Sequence, residues 1–131
     1  MSNNNVQTLE GLRADKYKDA TRVKISSGIT SFPTEILSLY NTLEMLDLSG
    51  NKRLSALPAG ISRLHKLKIA FFSECGFETF PVELAKCRSL EMVAFKGNGM
   101  RLVPEGAFPR RLRWLILTGN EIGEIPRSIG L

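Results

Sequence analysis

The stretch LEMLDLSGNKRLSALP, residues 43–58, sets Leu43, Leu46, Leu48, Asn51, Leu54, Leu57 and Pro58 in an order that returns along the chain. Toward the C-terminus it reappears from Leu67 (Ala70, Phe72, Cys75, Phe77, Phe80, Pro81) and from Leu90 (Val93, Phe95, Asn98, Met100, Val103, Pro104). A further copy starts at Leu112 (Leu115, Leu117, Asn120, Ile122, Ile125, Pro126). Toward the N-terminus a degenerate copy starts at Ala20 (Val23, Ile25, Gly28, Ile29, Phe32, Pro33), one residue short in its middle. The chain thus holds about five units of 22 to 24 residues, the last incomplete.

Apolar, amide and proline positions that recur together in register mark a repeat whose units bury their apolar faces against one another. The unit L-x-x-L-x-L-x-x-N/C-x-L resembles the leucine-rich repeat. That resemblance implies an α/β solenoid, with a short curved parallel sheet on its concave side and short helical turns on its convex side. The repeat domain spans residues 20–131 on this reading.

Period-2 alternation in x-Leu-x-Leu sends the leucines to the core and the residues between them to the opposite face. Asn51, Asn98 and Asn120 turn the chain out of the strand, and their amides can bond backbone groups of the neighbouring turn. Cys75 and Gly28 are expected to interrupt this ladder. After each proline, PTEILSL, PAGISRL and PVELAKC place apolar residues three apart, which predicts one or two helical turns with Pro at the first helical position. PEGAFPRR carries a second proline, Pro109, and should form an irregular turn instead.

Residues 8–19, with TLEGLRADKYK opened by Thr8, read as an N-terminal capping helix presenting Leu9, Leu12 and Tyr17 to the first coil. Residues 1–7 are polar and read as a disordered tail. The chain ends inside the convex turn of the fifth coil, so Leu112, Leu115 and Leu117 are expected to lack a cover. A fragment of a longer protein is the reading this favours.

Composition bounds the remaining function classes. Apolar residues make up 43% of the chain and charged residues 24%, as in an ordinary globular domain. The start MSNNNVQTLEG has no signal-peptide pattern and no run approaches a membrane span, so the expected compartment is the cytoplasm, with no membrane partner. The net charge of +5 is too modest to indicate a nucleic-acid partner. Cys75 and Cys87 fall at opposite corners of one coil and read as buried thiols, because Cα atoms more than about 7 Å apart cannot be bridged. His65 is the only histidine, and phosphate-binding glycine loops and the H-R-D and D-F-G motifs are missing. The expectation is a non-enzymatic protein with no cofactor and no metal.

Residues between the consensus leucines form columns on the concave face. The third position of the unit holds Arg22, Met45, Ile69, Met92 and Trp114, and the fifth holds Lys24, Asp47, Phe71, Ala94 and Ile116. From the second repeat on, the third column is apolar throughout. Contiguous exposed apolar surface marks an interaction site, so Met45, Asp47, Ile69, Phe71, Met92, Ala94, Trp114 and Ile116 are the candidate contacts for a protein or peptide. Phe71 and Trp114 are its candidate anchors. The seventh position reads Ser26, Ser49, Ser73, Lys96 and Thr118. The second alternates in sign through Glu44, Lys68, Glu91 and Arg113, and is read as setting register and solubility. Two alternatives remain open. One is self-association through the concave patch or the uncovered end. The other is an electrostatic site for acidic peptide, phosphate or nucleic acid on a basic rim of Arg63, Lys66, Lys86, Arg88, Arg110 and Arg111, beside His65.

The wording of TLEGLRA, ATRVKISSGITSFPTEI, NTLEMLDLSGN, SLEMVAFKGN and LRWLILTGNEI, from about Thr8 onward, resembles the N-terminal half of bacterial leucine-rich repeat protein kinases. The resemblance implies a recognition or regulatory segment. It assigns no ATP-binding or phosphoryl-transfer residue, because the kinase half is not in this sequence.

Overall fold

The computed structural model describes residues 5–13, 19–26 and 28–124. Among these residues six short strands, β1 Asn5–Val6, β2 Arg22–Lys24, β3 Met45–Asp47, β4 Ile69–Phe71, β5 Met92–Ala94 and β6 Trp114–Ile116, pair in sequence order into one parallel sheet. Each strand is brief because the repeat supplies only one x-Leu-x-Leu alternation. Backbone bonds beyond the strand ends extend the ladder: Leu48 N–H donates to Phe71 O at 2.9 Å and Gly50 N–H to Ser73 O at 2.8 Å. The expected solenoid is therefore present, one coil per repeat.

Of the expected disordered tail, residues 1–4 lie outside the described residues, and β1 corrects the reading for Asn5 and Val6. Asn5 and Val6 pair with Arg22 and Val23, and Val6 is buried against the core. The sequence hid this strand, since a single apolar residue in a polar run shows no alternation. α1, Leu9–Arg13, follows, with Gly11 N–H donating to Thr8 Oγ1 at 2.9 Å and Leu12 buried in the core. Arg13 Nε donates to Glu35 Oε2 at 2.8 Å, an exposed pair worth about 0–1 kcal/mol. Residues 14–18 of the expected helix, including Tyr17, lie outside the described residues, as do Ile125 and Pro126, and Asp19 at its expected end lies in a turn.

On the opposite side, among the described residues, run three 3-10 helices, Thr34–Leu39, Ala59–Arg63 and Val82–Lys86. Their tight pitch follows from the sequence. With three residues per turn, apolar residues spaced by three eclipse one another, and Ile36 with Leu39, Ile61 with Leu64, and Leu84 with Cys87 are all buried. Pro33, Pro58 and Pro81 sit at the N-cap in extended conformation, one residue earlier than the first helical position expected for them. In the fourth repeat residues 105–111 form turns and bends instead, around a buried Pro109.

Between sheet and turns lies the core. Phe95 is its hub, with ring centroids 5.2 Å from Phe72, 5.1 Å from Phe77 and 5.1 Å from Phe80; Phe80 in turn meets Phe108 at 5.1 Å. Asn51 and Asn98 are the polar residues buried in this layer among the described residues. Each asparagine amide Nδ2 donates to a carbonyl of the preceding coil: Asn51 to Ile25 O at 2.7 Å, Asn98 to Phe72 O at 2.9 Å, Asn120 to Phe95 O at 2.7 Å. Cys75 does not break this ladder as expected. Its thiol donates to Leu48 O at 3.2 Å, so the coil keeps one of the two amide bonds.

Candidate functional site

Strand pairing places the concave columns side by side. Arg22, Met45, Ile69, Met92 and Trp114 are mutual partners across five strands, and so are Lys24, Asp47, Phe71, Ala94 and Ile116. Neighbouring strands lie about 4.8 Å apart, which brings successive side chains of a row into contact range. The rows begin basic, at exposed Arg22 and Lys24; the first is apolar from Met45 in β3 onward, and the second, which holds Asp47 in β3, from Phe71 in β4 onward.

From β3 on, exposure in both rows is greatest at β6. Met45, Ile69, Phe71 and Met92 are half-buried, whereas Trp114 is 53% exposed and Ile116 37%. β6 has a neighbour on one side only among the described residues, and its inward Leu115 and Leu117 are half-buried where their counterparts in β3 to β5 are fully buried. Two expected contacts offer less than the pattern suggested. Ala94 is only 5% exposed, because its methyl group is too short to reach the surface set by Phe71 and Ile116 in the same row. Asp47 is half-buried and its Oδ1 accepts a 2.9 Å bond from Ser49 N–H, so part of its capacity is spent within the chain. Ser49 and Ser73 continue that internal network, each Oγ accepting from the backbone N–H of the next coil, Ser73 at 3.0 Å and Lys96 at 3.2 Å.

The basic residues occupy the turns that feed the strands. Arg63 and Lys86 close their 3-10 helices, while Lys66, Arg88, Arg110 and Arg111 lie on the following turns; all six are exposed, and His65 is half-buried. Arg63 stands 5.6 Å from the Tyr40 ring centroid. The rim is not uniformly charged, since Ser89 takes the repeat position of Lys66 and Arg111 and donates its hydroxyl to His65 O at 2.6 Å.

Arg113 is the residue whose role the sequence reading missed. By pattern it belongs to the alternating second column, among residues of register and solubility. Its guanidinium carbon sits 5.2 Å from the Trp114 ring centroid, and it also lines a wide, open surface cavity of about 380 Å³ together with Glu91, Arg110, Arg111 and Leu112. An Arg-Trp pair close behind Arg-Arg was the available signal.

The Leucine Rich Repeat family matches residues 42–64, the coil that opens at β3. A leucine-rich repeat protein of Leptospira interrogans superimposes with a TM-score of 0.60 at 19% identity, over 95% of this chain and 43% of that one. The fold is a leucine-rich repeat solenoid. This solenoid is also 28% identical, over 126 residues, to a probable disease resistance protein of Arabidopsis thaliana, covering 96% of the chain and 6% of that protein. The chain thus spans less than half the length of either relative.

No helix among the described residues is long and apolar enough to cross a membrane. Both cysteines of the solenoid are unbridged and buried. Loss of hydration on burial pushes both thiols above their ordinary 9.0, Cys87 to about 12. Because the folded value lies above the unfolded one, the stability each neutral thiol contributes is fully present below about pH 9 and falls as pH rises above it, for Cys87 until about pH 12. Native protein at neutral pH should therefore react with a thiol reagent only at the rate of unfolding, and both cysteines should react promptly in denaturant. Fast labelling of the native state would contradict the burial.

Proposed function

We propose that this chain is a non-enzymatic binding solenoid that takes a protein or peptide on its concave face, with Phe71 and Trp114 as anchors. The observation that carries the reading is the row Met45, Ile69, Met92, Trp114, aligned strand by strand and ending in an indole that is 53% exposed. Polar side chains would be expected there if water were the only neighbour. Aromatic side chains supply most of the energy in protein interfaces, and the rigid sheet holds these without further ordering cost.

A peptide-display library selected on the intact chain tests this. Trp114→Ala should weaken the selected peptides by about 2 kcal/mol or more, roughly thirtyfold, with an unchanged unfolding transition. Peptides that bind Trp114→Ala as well as the parent would place the site elsewhere.

Two finer readings go with it. α1 serves as the N-terminal cap of the first coil, supported by the burial of Leu12 and its bond from Leu12 N–H to Thr8 O at 3.1 Å. The other is a place as the recognition or regulatory segment ahead of a kinase domain, proposed from the resemblance of TLEGLRA and LRWLILTGNEI to bacterial leucine-rich repeat protein kinases.

A further inference from the structure

We propose that the β6 end of the concave face continues into a carboxylate-binding pocket, so that the preferred partner is a peptide segment pairing an apolar side chain with a nearby Asp or Glu. The inference rests on the concave-face reading and adds the chemistry of the ligand.

Arg113 joins the two halves. One side of its guanidinium covers the Trp114 indole, and the residue also lines the 380 Å³ cavity with Arg110 and Arg111. Among the described residues none of these three guanidinium groups takes part in an ion pair. Three arginines against one acid, Glu91, leave the cavity with an excess of positive charge. The turn that carries them is fixed: Leu112 N–H donates to Pro109 O at 3.2 Å, and the N–H groups of Arg113 and Trp114 both donate to Glu91 O, at 2.8 and 3.0 Å. The guanidinium groups are therefore set on a backbone pinned to the entry of β5.

The pocket favours a carboxylate side chain over a nucleic-acid backbone. A planar guanidinium matches a carboxylate through two parallel bonds, and Glu91 within the cavity opposes the dense charge of a phosphate chain. A nucleic-acid track would need basic residues in unbroken succession along the rim, and Ser89 interrupts the row between Lys66 and Arg111. Arg113, which lines the cavity, also lies over the Trp114 ring, and this suits a ligand with an apolar group close to its charge.

The test uses peptides obtained by display selection on the intact chain, each synthesised with its acidic residues present and with every Glu and Asp replaced by Gln and Asn. The acidic form should bind about tenfold more tightly, the effect of one charge-assisted contact, and the gap should shrink as salt rises from about 50 to 200 mM. Arg110→Gln with Arg111→Gln should shrink the difference between the acidic and the amide peptide, since only Arg113 of the three guanidinium groups then remains. Both residues are exposed on a turn, and an unaltered unfolding midpoint verifies the fold of the double variant. Equal affinity for acidic and amide peptides, with Trp114→Ala still weakening both, would overturn the carboxylate pocket and leave the concave-face reading standing. Displacement of the acidic peptide by duplex DNA at lower concentration than by free acidic peptide would also overturn it. A library that yields no binder would overturn both.

Discussion

Phe95→Ala should lower the unfolding free energy by about 3–5 kcal/mol, the range for removing a buried phenylalanine, as measured by urea denaturation. The size of the effect follows from position. Phe95 is fully buried and meets Phe72, Phe77 and Phe80 at centroid distances between 5.1 and 5.2 Å, in stacked, edge-on and tilted arrangements. These rings come from two successive repeats, so one deletion opens a cavity at their junction. The neighbours cannot collapse into it, because the strand ladder on one side and the 3-10 helices on the other fix the coil spacing. A loss of less than about 1 kcal/mol would mean that the coils close up independently of this aromatic layer.

Asn98→Ala should cost about 2–4 kcal/mol, although it removes few apolar contacts. Asn98 Nδ2 donates to Phe72 O at 2.9 Å and to Lys96 O at 3.2 Å, and its Oδ1 accepts from Phe77 N–H at 3.0 Å. The residue is 7% exposed, so water cannot readily replace those bonds. Each backbone group left unpaired in such a place costs about 1–3 kcal/mol. Asn98→Cys should cost less than Asn98→Ala, because at position 75 a thiol already donates to the carbonyl of the preceding coil. Asn120→Ala should cost less still, since Asn120 is half-buried and solvent can take over some of its bonds. Chemical denaturation of the three variants checks the ladder: Asn98→Ala should be the least stable, Asn98→Cys intermediate and Asn120→Ala the most stable. Equal effects in all three would contradict it.

Much of this architecture is legible in the sequence because the repeat fixes two independent patterns at once. Alternation at Leu46-Asp47-Leu48 and its equivalents determines which side chains face inward, and the constant repeat length determines which residues become neighbours. The concave rows from Arg22 to Trp114 and from Lys24 to Ile116 follow from those facts alone, and the strand register reproduces them residue for residue. Features that depend on a single residue or on side-chain reach were not legible. β1 has one buried apolar residue and so leaves no periodic trace. Ala94 occupies a concave position by register and is sheltered by its small size. The thiol bond of Cys75 depends on the distance to Leu48 O, which no spacing rule supplies. The arginine cavity is assembled from the entry to β5 and the turn before β6, and only stacking brings Glu91 against residues 110–113.

Trp114 is the only tryptophan in the chain, and it is the proposed anchor of the concave face. Its fluorescence therefore reports occupancy of that face without any label. The decisive measurement is the emission of the intact chain, and its quenching by acrylamide, during titration with a display-selected peptide free of tryptophan. Binding on the concave face predicts a shift of the emission to shorter wavelength and protection from the quencher, both saturating with the binding isotherm. Saturable binding that leaves the emission and the quenching of Trp114 unchanged would contradict the account.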